Sequence, residues 1–361
     1  MNVVIRTDAS LEIGTGHVMR CVTLAKQLER EGANITFVCR NFPGNSILFI
    51  QNLGFRVYTL VSHEDQSNWK WTRENWKHDV EETKQILKKL SVKTDLLIVD
   101  HYGLDAKWER ELRSDVKHIM VIDDLADRYH DCDILLDQNY YLEMQNRYKG
   151  LVPDSCIQLL GPNHVLLRDE FLSIDPQKIK RDGDINNILV FFGGTDPTRE
   201  TMKTLHAIQD LKRPDIEFNV IVGSANPQKE VIKKICDKMS NVIFHCQISN
   251  MAELMVDADL AIGAGGSTTW ERCYLKLPSI TVTVAENQRD IAHDVAKRGA
   301  TIWLGESDQV TKNNIQEEVL KLLATSEKVV EVSSNCLFVL NPHKVKRHET
   351  MKNIRNFIYG N

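Results

Sequence analysis

The chain is punctuated by short, nearly continuous apolar runs. Each is closed by a polar or glycine-rich loop and followed by a helical pattern. Such runs fall at residues 3–5, 35–39, 56–60, 96–99, 118–122 and 134–136, and again at 188–192, 218–222, 242–244, 260–262 and 279–282. Helical stripes lie between them, as with Val18, Cys21, Val22, Ala25 and Leu28 before Gly32, or Val80, Thr83, Ile86, Leu87 and Leu90. Continuous apolar strands alternating with helices predict parallel sheets covered on both faces, an α/β chain. At 361 residues the chain exceeds one ordinary core, so two domains are expected. The polar, strand-poor stretch 174–187 is the expected linker. It divides an N-terminal domain over 1–173 from a C-terminal domain over 188–343, and residues 344–361 carry a final helix that returns to the first.

Composition removes several function classes. A net charge of −5 gives no general drive toward nucleic acid or an anionic membrane surface. No apolar run reaches the length of a membrane span, and the first residues enter a strand without a basic leader, so a cytoplasmic protein is expected. The eight cysteines are scattered without C-x-x-C spacing, which predicts buried thiols rather than zinc or a disulfide framework. Trp69, Trp71 and Trp76 sit among basic residues, but their spacing is that of packing side chains in a helix and its lead-in.

Ligands of open parallel sheets bind beyond the carboxyl ends of the strands, and the unusual loops of this chain all follow strands. The first is Arg6-Thr7-Asp8-Ala9-Ser10, then Ile13-Gly14-Thr15-Gly16-His17-Val18-Met19-Arg20. Its glycines let backbone approach a ligand, and a helix begins at His17. The positive helix end favours a nearby anion and a neutral imidazole, which makes His17 a candidate general base. The alternative is a histidine that only caps and packs. The second loop, Gly263-Ala264-Gly265-Gly266-Ser267-Thr268-Thr269-Trp270-Glu271, offers backbone N–H groups and hydroxyls to a diphosphate without a metal, with Glu271 a turn further on for ribose hydroxyls. Tight packing is its alternative. Gly193-Gly194-Thr195 is a weaker loop of the same type. Tyr102 follows the strand that ends at Asp100 and could complete a site, and the amides of Glu286-Asn287-Gln288 either bind sugar substituents or simply end a strand and begin a helix at Asp290. The adjacent Asp123 and Asp124 resemble a metal pair but more often cap a turn. A nicotinamide fingerprint fails, with Met19 at the third glycine and no acidic residue ending the second strand at Arg40; G-x-x-x-x-G-K-[ST] is absent.

Taken together, R-T-D-A-S…I-G-T-G-H-V-M-R-C, V-D-H-Y, I-D-D-L-A-D-R, F-F-G-G-T-D-P, G-A-G-G-S-T-T-W-E and A-E-N-Q resemble the nucleotide-sugar hydrolases of pseudaminic acid biosynthesis. These act on UDP-2,4-diacetamido-2,4,6-trideoxy-β-L-altropyranose. Spore-coat polysaccharide proteins and MurG-type glycosyltransferases are their relatives. The resemblance runs over residues 1–323. It implies a GT-B-like fold, two Rossmann-type parallel-sheet domains facing a central cleft. It implies hydrolysis of the sugar–phosphate link of a UDP-sugar, the partner expected here; water attacking the face opposite the leaving group then predicts inversion, with neither cofactor nor metal expected. His17 is then the catalytic residue. Asp8, Gly16, Arg20, Tyr102 and Asn287 fall to the sugar, and Gly194, Gly265, Gly266, Ser267, Thr268 and Glu271 to UDP. A GT-B transferase moving the sugar to an acceptor is the first rival, and a non-catalytic nucleotide-sugar binder the second. The tail from residue 326 departs from the shorter members.

Overall fold

A computed structural model describes residues 1–62, 68–90, 92–346 and 349–360. The chain forms two compact units. The first contains a seven-stranded sheet: β1 (Asn2–Thr7), β2 (Asn34–Arg40), β3 (Arg56–Leu60), β4 (Thr94–Asp100), β5 (Val116–Ile122), β6 (Ile134–Asp137) and β7 (Ile157–Leu160). Their order is β3-β2-β1-β4-β5-β6-β7, and every pairing is parallel. Alternate residues of one strand enter different cores. Val3, Ile5, Leu96 and Ile98 join one apolar cluster, and Val4, Leu97 and Val99 join the other. Both faces are therefore covered, which is why these strands read as nearly continuous apolar runs.

The second unit repeats the plan with β8 (Asn187–Phe191), β9 (Glu217–Val222), β10 (Val242–Cys246), β11 (Leu260–Ala264), β12 (Ser279–Thr283) and β13 (Ile302–Glu306). Its order is β10-β9-β8-β11-β12-β13, again all parallel. In each sheet the order reverses about the first strand. The switch points lie between β1 and β4, where Thr7 pairs with Asp100, and between β8 and β11, where Phe191 pairs with Gly263. Each sheet thus opens a crevice where its own first loop leaves it.

Several expectations shift. The second unit begins at Leu167, not after a linker, apart from the short Tyr140–Leu142 stretch that joins it. The stretch 174–187 is docked: Arg181 donates to the carbonyls of Met255, Val256 and Ala258, and Ile185 enters the core. Helix Ser326–Val339 buries Val329, Val332, Cys336 and Val339 in the second unit. The helix expected across 344–358 divides into Pro342–Lys346, in the second unit, and Glu349–Tyr359, in the first; positions 347 and 348 lie outside the described residues. Met351 and Ile354 join the core that holds Val3 and Ile5. Seven cysteines are buried thiols, but Cys246 is exposed.

One polar network is sunk into the first unit. Arg6 forks onto Asp79 through Nε (3.2 Å) and Nη2 (2.7 Å), Arg40 Nη2 reaches the same carboxylate at 2.8 Å, and Trp108 Nε1 donates to it at 3.0 Å. Both arginines and Asp79 are fully buried. Removing the shared carboxylate would leave the buried Arg6 with Asp8 alone and the buried Arg40 with the half-buried Glu82, two guanidinium groups short of one countercharge. Asp79→Ala should cost about 3–5 kcal/mol in urea denaturation, far more than an exposed ion pair.

Candidate functional site

The first switch point gathers the expected residues of the N-terminal loop around carboxylates that the loop does not contain. After β1 the chain turns through Ser10, whose hydroxyl accepts from the Glu12 and Ile13 amides (3.2 and 2.9 Å), and through Gly14 at φ +77°. Helix Gly16–Arg30 then begins, with Gly16 exposed and His17 buried in its first turn. His17 Nδ1 lies 2.5 Å from Asp100 Oδ1 at the end of β4. Arg20, one turn on, donates to the same carboxylate through Nε (2.6 Å) and Nη2 (2.7 Å). Burial would push Asp100 up, but Arg20 and then His17 outweigh it and hold the carboxyl well below its ordinary range. An ionised carboxylate only accepts, so the contact with Asp100 calls for an Nδ1–H on His17, and Arg20 Nη2 lies 3.1 Å from the same nitrogen.

Asp124 completes the cluster. It accepts from Arg20 Nη1 (2.8 Å) and from the Tyr102 hydroxyl (2.6 Å), and the Tyr102 ring meets the His17 ring edge-on at 4.4 Å. Asp8 is buried beneath the loop. It accepts from Arg6 Nη1 (2.5 Å) and the Arg40 amide (2.7 Å), and its second oxygen lies 3.1 Å from His101 Nε2. A small pocket above these groups is lined by Asp8, Ile13, His17, Trp69, Asp100, His101 and Tyr102. Asp123, the other half of the adjacent pair, is held by Arg128 and by the Tyr148 hydroxyl. Both aspartates are spoken for by arginine and tyrosine. Among the described residues no group of three or more His, Cys, Asp or Glu is arranged to hold a metal.

In the second unit, three glycine loops converge at the carboxyl ends of β8, β9 and β11. A Cβ on Gly223 would strike the Gly194 backbone, and one on Gly263 would sit 2.5 Å from the Phe191 carbonyl. Gly265 and Gly266 face Gln288, so the turn Glu286–Gln288, with the half-buried Asn287, stands beside the Gly265–Thr268 loop. Ser267 is exposed, and Thr268 Oγ1 accepts from Arg272 Nη1 at 3.3 Å. Glu271 is buried. Its Oε1 accepts from Arg168 Nε at 3.0 Å, while Oε2 has no hydrogen-bond partner among the described residues. Burial pushes this carboxyl up, against the opposing pull of Arg168.

The sequence reading missed Asp100, Arg168 and Trp69 as neighbours of these groups, and considered Asp124 only as half of a metal pair or a turn cap. Asp100 ends the motif V-D-H-Y, so an acidic residue closing the strand beside β1 was the available signal; Arg168 had none. Trp71 and Trp76 pack as expected, Trp71 under the Arg40 guanidinium (4.6 Å) and Trp76 against the core, but Trp69 lines the pocket.

Residues 188–350 match the glycosyltransferase family 28 C-terminal domain. The chain is 28% identical over 301 residues to the UDP-2,4-diacetamido-2,4,6-trideoxy-beta-L-altropyranose hydrolase of Campylobacter jejuni, covering 83% of this chain and 97% of that protein. It is 26% identical over 332 residues to the spore coat polysaccharide biosynthesis protein SpsG of Bacillus subtilis, covering 90% of each. An uncharacterized protein of Methanocaldococcus jannaschii is 27% identical over 82% of this chain, which spans only 59% of that longer relative. The resemblance to the nucleotide-sugar hydrolases thus extends along most of the chain. In fold, MurG of Acinetobacter baumannii (TM-score 0.63, 15% identity, 97% and 98% of the two chains) and Arabidopsis thaliana UGT89C1 complexed with UDP (0.67, 13%, 97% and 99%) are similar. The fold is GT-B.

Asp8, Asp79 and Asp100 are all held below the ordinary carboxylate range despite burial. A depressed folded pKa means that the unfolded chain takes up protons first as pH falls, so this stabilisation is present at neutral pH and lost in acid. The melting temperature should fall steeply below about pH 4. Asp100→Asn should flatten that acid limb in a pH series followed by near-ultraviolet circular dichroism.

Proposed function

We propose that the chain is a UDP-sugar hydrolase in which water attacks the anomeric carbon of a UDP-2,4-diacetamido-2,4,6-trideoxy hexose with inversion, a step of pseudaminic acid biosynthesis. The observation that carries this reading is the His17–Asp100 pair: a buried imidazole held through Nδ1 by the carboxylate that ends β4, with its residue lining a pocket. The hydrolase from C. jejuni, matched over nearly its whole length, supports the substrate class.

The chemistry follows from these groups. Nε2 takes a proton from water as the water oxygen bonds to the anomeric carbon. The carbon–oxygen bond to the diphosphate breaks, and its electron pair leaves on the β-phosphate oxygen of UDP. Asp100 stabilises the imidazolium that forms. UDP is a stable leaving group, so no strong acid is needed. In this reading the backbone amides and hydroxyls around Gly194, Gly265, Gly266, Ser267 and Thr268 offset its growing charge. Glu271 Oε2 is open to a ribose hydroxyl, and accepting two would require Arg168 to release Oε1. Arg20 and Asp8 act by positioning, Arg20 through Asp100 and Asp8 through the loop's base. Tyr102, whose hydroxyl proton is committed to Asp124, meets the sugar with its ring or its remaining lone pair, and Asn287 with its amide.

The match to a glycosyltransferase domain favours a second reading, transfer of the sugar to an acceptor hydroxyl by the same base. Acceptor dependence separates the two. With no acceptor present, in water enriched in heavy oxygen, hydrolysis predicts UDP release with the label in the sugar hydroxyl. Label in UDP would mean attack at phosphorus and overturn the role of His17. No release, while UDP itself still binds, would favour transfer or a non-catalytic nucleotide-sugar binder. His17→Ala should lose about 10²–10⁴ in turnover while keeping UDP affinity. Glu271→Gln should weaken UDP binding roughly tenfold by calorimetry, since a charged acceptor is lost.

A further inference from the structure

Trp69 is unused by the chemistry above, yet it is held at the pocket with care. It opens helix Trp69–Glu74, which Asn68 caps by accepting from the Lys70 and Trp71 amides (3.0 and 3.4 Å). The Asn68 side-chain amide donates to Glu12 of the His17 loop at 2.9 Å. The Arg73 guanidinium lies 4.9 Å over the Trp69 ring, and Arg73 Nη2 donates to the Tyr102 carbonyl at 3.4 Å. Gly103 lets this helix approach, because a Cβ there would strike the Trp69 carbonyl and sit 3.0 Å from the Arg73 amide. A large aromatic ring is thereby fixed, half-buried, on the wall of a pocket whose other members are mostly polar or ionised. Ile13 is the other apolar side chain there. Where a ligand meets such a surface, polar groups fix its orientation, and apolar side chains contact the parts that cannot hydrogen-bond.

We propose that Trp69 is a specificity-determining residue that packs against the apolar parts of the sugar, its deoxy methyl and acetamido methyl groups, and so selects deoxy-acetamido sugars over their hydroxylated counterparts. This rests on the UDP-sugar reading above but concerns recognition rather than the base. The contact is made equally in ground and transition states, so it shows in KM more than in kcat.

The test compares wild type, Trp69→Ala and Trp69→Phe on UDP-2,4-diacetamido-2,4,6-trideoxy hexose and on UDP-N-acetylglucosamine, whose C6 bears a hydroxyl. Trp69→Ala should raise KM for the deoxy substrate roughly ten- to hundredfold and change kcat less than threefold. It should shrink the preference between the two substrates and leave the affinity for UDP alone unchanged. Trp69→Phe should recover most of the loss. If the alanine variant does not fold, Trp69→Leu provides the same comparison. A KM within twofold of wild type in a folded variant overturns the proposal, as does an equal loss for UDP alone. If the wild-type chain hydrolyses neither compound, the reaction assignment fails and Trp69 is judged by calorimetry. Selective loss of UDP-sugar affinity over UDP then supports its role, and equal affinities overturn it.

Discussion

The carboxylate of Asp100 is the point on which the polar cluster of the first unit depends. It ends β4, the strand beside β1 at the switch in strand order, and so stands where the β1 loop must leave the sheet. From there it receives the His17 ring and two donors of Arg20. Arg20 carries the constraint outward to Asp124, and Asp124 to Tyr102. Each partner limits the freedom of the next, so the imidazole is oriented before any ligand arrives. Preorganisation of this kind saves reorganisation at the moment of reaction.

Beneath that layer lies a second, purely positional one. Arg6, Arg40, Asp79 and Asp8 lie at the ends of β1 and β2 and on a neighbouring helix, all buried. Buried charges of this sort add little net stability over a well-packed apolar core. What they do supply is geometry. The fork of Arg6 onto Asp79 and the Arg40 amide on Asp8 fix where β1 ends and the loop to His17 begins. The second unit solves the same topological problem with glycine instead of charge. Its loops touch through backbone at Gly194, Gly223 and Gly263, leaving the amides and hydroxyls of Gly265–Thr268 beside the turn that carries Asn287.

How much of this was legible depended on the range of the interaction. The strands, the parallel sheets and the two-unit plan follow from local apolar pattern, because a strand buried on both faces can only be apolar throughout. The loops at His17 and at Gly265 were legible for a similar reason, since glycine and a helix start are encoded within a few residues. The boundary near Leu167 was not, because 174–187 is polar in sequence yet docks through Arg181 onto carbonyls more than seventy residues away.

The sequence by itself determined the architecture, the strand-end loops, and the identity of His17 and Glu271 as groups worth watching. Tertiary structure alone decided what those groups face. Asp100 is eighty-three residues from His17, Asp124 lies farther still along the chain, and Arg168 reaches Glu271 across a hundred and three. It also separated three similar tryptophans, placing Trp71 on Arg40, Trp76 on the core and Trp69 at the pocket. The reason is physical: burial and charge pairing are set by which chain segments a sheet order brings side by side, and strand order is not written in any local pattern.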